Sequence, residues 1–298
     1  MTKTNVKRKL KELLAGYSFM FPALIVLVVF LLLPILYSIF LSFHKVNLLG
    51  HVSYKFIGTD NFERMVDDPR LWIALKNTFR YALIVVPSQT LLALVLAAIL
   101  NMKLRFRNFF RVAFYLPTVT SSAVLVLIFM WIYNKNGLLN FILESVGLPT
   151  YNWLGDPSVA LFGIMIMNIW STAPLFMVIY LAALQDIPDS LYEAAEIDGA
   201  NAWKKFWRIT VPQLKPVTFY VVVMGVIGTF QIFDQSYIFS GGSGGPSNAT
   251  LTMVLLIYQY AFKNLDMGYA SALAFMLAVV IMLITVIQRL IFKEERLN

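Results

Sequence analysis

The sequence predicts an all-α integral membrane protein with six transmembrane helices and both termini in the cytoplasm. Three observations lead to this fold class: composition, apolar stretches of membrane-spanning length, and the placement of basic residues. Hydrophobic residues make up 59% of the 298 residues and charged residues only 13%, about half the share in ordinary soluble domains. A soluble core cannot absorb that much apolar surface, so a bilayer is predicted as the solvent.

Six apolar stretches are long enough for a helix to cross the roughly 30 Å hydrocarbon core of a bilayer. They lie at roughly 18–43, 77–100, 112–133, 158–184, 216–240 and 269–292. The first follows a basic run, but it is too long for the apolar part of a signal peptide and lacks a clear small-residue cleavage site, so it is predicted to be a retained helix. A single transmembrane domain, 1–298, is predicted.

The basic residues orient these helices. Sixteen of the 24 lie at the chain ends and in the loops that follow the second and fourth helices, and seven lie in the other three loops. The sixteen are Lys3, Lys7, Arg8, Lys9, Lys11, Lys103, Arg105, Arg107, Arg111, Lys204, Lys205, Arg208, Lys215, Arg289, Lys293 and Arg296. Because cytoplasmic loops are enriched in lysine and arginine, both termini are predicted to be cytoplasmic.

The loop 185–215 is too polar for the membrane and too regular for a linker. Apolar positions after Pro188 predict a short helix that stops at Gly199 in a left-handed conformation, and a second short helix is predicted at about 201–208. A connector lying on lipid is the alternative, and it fits the basic second helix. It fits the first helix poorly because its carboxylates would face anionic headgroups, so a cytoplasmic protein partner is predicted there.

One pattern in this loop resembles a known family. Glu193, Ala194 and Ala195, followed by Asp198, Gly199, Ile209 and Pro212, resemble the EAA loop of permease subunits of binding-protein-dependent ABC importers, although Val211 stands where the family usually has leucine. The stretches 57–62, 192–200, 244–250 and 268–273 are similar to the carbohydrate branch, which includes maltose, glycerol-3-phosphate and multiple-sugar permeases.

The resemblance implies a type I importer permease for a sugar, in the cell (inner) membrane of a bacterium or archaeon. It implies four partners besides the lipid bilayer: a second permease subunit forming a heterodimer, two copies of a cytoplasmic ATPase, and an extracytoplasmic substrate-binding protein. ATP and Mg would be bound by the ATPase, with no cofactor in this chain. The seven residues of the EAA pattern would couple the permease to the ATPase.

Polar residues inside the predicted spans are candidates for a solute path because they are costly in lipid. The fourth helix carries Asn168 and Thr172, and the fifth carries Gln231 and Asp234, predicted to share one helix face. From the residues alone, hydrogen bonds between helices are an open alternative. The resemblance to the maltose-type permease implies that these four residues lie at or beside positions that contact the solute.

Other function classes fit the sequence less well. A secondary transporter working alone would need coupling-ion residues and often internal repeats, but Asp234 is the only acid clearly within a span. A catalytic or metal site is not predicted, since the chain has no cysteine and no histidine in a span. It has no Walker loop, so it is not the ATPase, and no nucleic-acid platform. Within the importer class, a polyol, glycerol phosphate or amino acid is the alternative cargo.

Overall fold

The computed structural model describes residues 3–48, 51–102 and 105–292, and the side chains of residues 3–12 and 14 fall outside that description. Several of the predicted cytoplasmic charges therefore lie outside the described residues: the side chains of Lys3, Lys7, Arg8, Lys9 and Lys11, together with Lys103, Lys293 and Arg296. The chain divides into two compact units, Met1–Asp67 with Tyr260–Met276, and Asp68–Gln259 with Leu277–Asn298.

The first unit starts with a long helix and continues into a small hairpin. Its elements are α1 (Lys3–Leu27), a π-helical turn (Val28–Leu32), α2 (Leu33–Ser42), strands β1 (His44–Asn47) and β2 (Ser53–Phe56), and α3 (Asp60–Asp67). The strands are antiparallel, with His44 opposite Phe56. The buried Asn61 amide on α3 donates to the Ser42 carbonyl at 2.9 Å, which ties α3 to the end of α2.

The second unit carries most of the helices. They are α4 (Pro69–Asn101), α5 (Arg107–Val119), α6 (Ser122–Ile132), α7 (Leu138–Ser145), α8 (Ala160–Gln185), α9 (Asp189–Ile197), α10 (Ala202–Lys205), a π-helical turn (Phe206–Thr210), α11 (Val211–Gln213), α12 (Lys215–Phe230), α13 (Asp234–Phe239) and α14 (Met253–Tyr258). The residues of the last two elements, a π-helical turn (Gln259–Lys263) and α15 (Met267–Phe292), are divided between the two units.

The core of the second unit forms where α4 packs along α8, with α12 and α5 beside them. Small buried residues, Ala93 and Ala97 on α4 and Ala173 on α8, lie at this contact. Small side chains let helix backbones approach closely, which is how helices associate in lipid. Large side chains such as Phe176, Met177 and Tyr180 complete the cluster. The packing sets α4, α8 and α12 around a common space.

Five helices in the described part of the chain are long and apolar enough to cross a membrane. They are Ala15–Ser42, Pro69–Asn101, Ala160–Gln185, Lys215–Phe239 and Met267–Phe292. A sixth candidate is the pair α5 and α6, which meet at a bend of 97°. The predicted all-α membrane fold is therefore confirmed, and the span count is six if the bent pair crosses the membrane as one span.

Three of the helices differ from the approximate stretches expected from the sequence, one in where it begins and two in their continuity. The second helix begins at Pro69 rather than 77, because the Asp68 side chain caps it by accepting a hydrogen bond from the Arg70 backbone N–H at 2.9 Å. The third, predicted as one helix at 112–133, is bent because Thr120 has an extended backbone and Ser121 is also non-helical. There the Thr118 hydroxyl donates to the Ser171 carbonyl of α8 rather than staying within its helix.

The fifth helix, predicted as continuous over 216–240, is interrupted between Phe230 and Asp234. A continuous helix would offer the Ile232 carbonyl to a backbone N–H four residues later. Instead the Thr252 hydroxyl donates to that carbonyl at 3.1 Å. A side chain distant in sequence thus satisfies the freed backbone group, which allows a break at membrane depth.

Candidate functional site

A cavity of about 570 Å³ lies within the second unit, between α4, α8, α12 and the break that follows α12. Its walls are lined by Gln89, Asn168, Thr172, Leu175, Phe176, Ile179, Tyr220, Met224, Gly225, Gly228, Thr229, Gln231, Ile232, Phe233, Asp234 and Gln235. The uncharged polar groups of the wall are amides and hydroxyls, and aromatic rings lie among them. Asp234 is the only charged residue among these lining residues.

The four residues predicted for the solute path, Asn168, Thr172, Gln231 and Asp234, all line this one cavity. Asn168 and Thr172 are one turn apart on α8, and the Thr172 hydroxyl lies 2.7 Å from the Asn168 carbonyl oxygen. Gln231 and Asp234 do not share the face of one helix, which corrects the prediction. Gln231 ends α12 and Asp234 begins α13, so it is the break that brings both side chains to the cavity.

The carboxylate of Asp234 has a partner that the sequence did not reveal. The hydroxyl of Ser122, the first residue of α6, donates to Asp234 Oδ2 at 2.8 Å. Ser122 directly follows the bend between α5 and α6, and Asp234 directly follows the break after α12. The hydrogen bond therefore joins the two interruptions, and it depends on both of them.

Gln89 is the second residue that the sequence analysis missed. It is 2% exposed on α4, and the Thr172 hydroxyl donates to its Oε1 at 2.7 Å. A signal for it was present, since an amide near the middle of an apolar span satisfies the same criterion that selected the residues of the fourth and fifth helices.

The loop 185–215 has the predicted form of two short helices that meet at Gly199. α9 ends in a Schellman-like turn, in which the Ala200 N–H donates to the Ala195 carbonyl at 2.8 Å. Gly199 has φ of +72°, the left-handed conformation predicted for it. The second helix is shorter than predicted, because α10 ends at Lys205 and a π-helical turn continues to Thr210.

Two contacts fix α9 against the rest of this loop. The hydroxyl groups of Tyr192 and Thr210 are hydrogen bonded at 2.9 Å. Lys205 Nζ lies 2.5 Å from Glu196 Oε1 across the turn, and this hydrogen bond and the adjacent positive charge lower the pKa of the Glu196 carboxyl. Tyr192 and Ile209 also pack against the core cluster of the second unit. The loop is thus attached to the membrane helices through one face of α9.

The other face of α9 is open. Glu193, Ala194, Asp198 and Gly199 are exposed, as is Pro212 further along the loop, while Ala195 is half-buried. Ile197 is 88% exposed, an unusual position for a large apolar side chain. The predicted coupling residues therefore divide: Ile209 contacts the core, and Glu193 and Asp198 project away from it.

A family model described as the inner membrane component of binding-protein-dependent transport systems matches residues 89–296. The chain belongs to this family. The permease is thus a multi-pass inner-membrane protein, as predicted, and the resemblance seen in its EAA loop is confirmed.

Relatives of the permease match it over nearly the full length of both chains. It is 37% identical over 285 residues to the lactose transport system permease protein LacF of Rhizobium radiobacter, covering 94% of this chain and 95% of that one. It is 34% identical to the trehalose/maltose transport system permease protein MalF of Thermococcus litoralis, covering 94% of each. In fold it is similar to a bacterial transporter that imports the acidic polysaccharide alginate, with a TM-score of 0.77, 22% identity, and coverage of 98% of this chain and 100% of that one.

Proposed function

We propose that the permease forms half of the path through which an ATP-driven importer moves a neutral sugar. The observation that carries the proposal is the cavity wall, which combines amide and hydroxyl side chains with the aromatic rings of Phe176, Tyr220 and Phe233. A sugar offers hydroxyl groups to the polar side chains and C–H faces to the rings. The named relatives that transport lactose or trehalose and maltose support the same class of cargo.

In this proposal Asn168, Thr172, Gln231 and Asp234 contact the passing sugar. Gln231 and Asp234 are exposed within the described chain, and their side chains are therefore available to a solute. The carboxylate accepts hydrogen bonds only, whereas each amide both donates and accepts, and sugar hydroxyls can satisfy either kind of group.

The permease is proposed to work with a second permease subunit in a heterodimer, two copies of a separate ATPase, and an extracytoplasmic binding protein. ATP and Mg are bound by the ATPase, and this chain catalyses no reaction. Glu193, Ala194, Ala195, Asp198 and Gly199 form the surface that the ATPase contacts, with Ile197 as an exposed apolar anchor. Ile209 and Pro212 pass movement of α9 to the start of α12, because Ile209 packs on the core.

Uptake measurements test the cargo. Cells that produce the complete importer are compared with cells that lack only this chain, using labelled lactose, maltose, trehalose, glycerol phosphate, a polyol and an amino acid. We expect uptake of at least one sugar to depend on this chain. The cavity offers no basic side chain among its lining residues to balance a phosphate, so glycerol phosphate should not be imported. Chain-dependent uptake of glycerol phosphate, the polyol or the amino acid, with none of any sugar, would overturn the proposal.

A further inference from the structure

Gln89 occupies an unusual position for an amide side chain. It lies on α4 within the span Pro69–Asn101 and is only 2% exposed, where an amide is costly unless its polar atoms find partners. Its oxygen has one, because the Thr172 hydroxyl donates to Oε1 at 2.7 Å. Thr172 lies on α8 one turn from Asn168, so the acceptor end of the amide is held by a residue of a neighbouring helix that also lines the cavity.

The nitrogen of the same amide has no such partner. Within the described residues, Gln89 Nε2 makes no hydrogen bond, although it carries two N–H donors. Gln89 lines the cavity, so the free donors are available to whatever fills that space. An amide donor that the protein leaves unpaired at a cavity wall can take its partner from the contents of the cavity.

Gly225 on α12 keeps the amide in this position. A Cβ at residue 225 would lie 2.6 Å from Gln89 Nε2, closer than nonbonded atoms approach. The amide is therefore held by the Thr172 hydroxyl at its oxygen, and its nitrogen occupies the space that the missing side chain of residue 225 leaves open. Such a group is oriented before any solute arrives, which lowers the entropy cost of binding.

We propose that Gln89 is a specificity-determining residue that donates its Nε2 hydrogens to a hydroxyl oxygen of the transported sugar. This inference rests on the proposed function of the cavity. It also gives the cavity two complementary groups, since the free atoms of the Gln89 amide are donors and the Asp234 carboxylate offers only acceptors. A neutral polyhydroxylated solute satisfies both groups, whereas an anionic solute would pair with Gln89 and be repelled by Asp234.

Gln89→Met tests the role, because methionine has nearly the same length and lacks the amide. The matched control is Thr90→Val on the same helix, since the buried Thr90 hydroxyl has no hydrogen-bond partner and does not line the cavity. In the complete importer with saturating binding protein, we expect Gln89→Met to lower the maximal uptake of the transported sugar about tenfold, the size of one lost hydrogen bond to a buried group. Half-saturation by the sugar should not change, because the binding protein captures the sugar first. Thr90→Val should transport like the wild type.

Gly225→Ala provides a second variant that keeps the amide but displaces it from the cavity wall. Alanine favours the helix, so the variant should assemble, and we expect its maximal uptake to fall about threefold because the displaced amide keeps part of its contact. If both Gln89→Met and Gly225→Ala transport like the wild type, the role of Gln89 is wrong while the sugar path stands. If Gln89→Met fails to assemble, unchanged uptake by Gly225→Ala alone overturns the inference. A wild-type importer that moves none of the sugars overturns the proposed function instead.

Discussion

The side chain of Asp234 shows how a carboxylate can be placed within an apolar span. A charge at the centre of a continuous membrane helix costs about 2.5–3.5 kcal/mol on insertion scales. Here the carboxylate opens the short helix α13, is exposed towards the cavity, and accepts a hydrogen bond from Ser122 at 2.8 Å. Such charge-assisted hydrogen bonds are stronger than neutral ones. The bond therefore orients the carboxylate while leaving its second oxygen for a solute.

Substitutions of Asp234 and Ser122 distinguish contact of the carboxylate with the solute from orientation of that carboxylate by the Ser122 hydroxyl. We expect Asp234→Ala to lower maximal sugar uptake about tenfold or more, because it removes an acceptor for the solute, and Ser122→Ala to lower it about threefold, because water can replace the hydroxyl. The double variant should be no worse than Asp234→Ala, since Ser122 acts only through the carboxylate. Uptake by the assembled importer is the measurement. Normal uptake by Asp234→Ala would remove this residue from the path.

Polarity within the spans and the family resemblance selected four cavity residues from the sequence. The structure brings these four, Asn168, Thr172, Gln231 and Asp234, to one cavity. Ser122 could not be found in this way, because its distance from Asp234 depends on a 97° bend and on a helix break. Pro117 stands just before the first interruption and polar residues stand at both, but none of them fixes where Ser122 lies relative to Asp234. Gln89 could have been selected from the sequence as a polar residue within a span. Its role could not, because it depends on contacts with Thr172 and Gly225, which belong to two other helices.

At the scale of elements, α9 is a short helix that is fixed on one face and open on the other. Its first face carries Tyr192, bonded to Thr210, and its open face carries Glu193 and Ile197. The ion pair of Glu196 with Lys205 is exposed on the Glu196 side and contributes little to stability. The angle at which α9 meets the following helix thus depends mainly on the turn at Gly199 and on the contact of Tyr192 with the core.

Changing the turn should change docking of the ATPase. Valine at residue 199 must adopt φ near +72°, which costs about 1–2 kcal/mol for a residue with a Cβ, so we expect Gly199→Val to reduce both copurification of the ATPase and uptake. Gly199→Asn is the matched control, because asparagine tolerates the left-handed conformation. Glu193→Lys tests the open face separately by reversing an exposed charge, and it too should weaken copurification. Wild-type assembly and uptake in both Gly199→Val and Glu193→Lys would contradict the docking role.

The short helices around Gly199 were predictable because their signals are local: proline before the first helix, glycine after it, and Asn201 as a cap whose side chain accepts from the Lys204 N–H. The interruptions of the third and fifth spans were not predicted, although Pro117 and polar residues at both breaks are visible in the sequence, because such residues also occur within continuous membrane helices. In the structure, hydroxyl groups at both interruptions bond to distant carbonyls, Thr118 to Ser171 and Thr252 to Ile232. These pairings exist only after the helices have packed.

At the scale of the whole molecule, orientation in the membrane is predicted from charge. The lysine and arginine residues are concentrated at the termini and in two loops, which the positive-inside rule assigns to the cytoplasm. This assignment also requires that α5 and α6 together cross the membrane once, despite their bend. If the pair instead entered and left on one side, the loops before and after it would face the same compartment.

Single cysteines can distinguish these arrangements, because the natural chain contains none. Three exposed positions bracket the spans in question: Asn101 at the end of α4, Ser145 at the end of α7, and Ala202 at the start of α10. With a maleimide that cannot cross the inner membrane, we expect Ser145→Cys to be labelled in spheroplasts, and Asn101→Cys and Ala202→Cys to be labelled only in inside-out vesicles. Labelling of Asn101→Cys and Ser145→Cys from the same side would show that the bent pair does not span the membrane. Labelling of all three with the opposite polarity would place the termini and the EAA loop outside the cytoplasm, where no ATPase could contact α9.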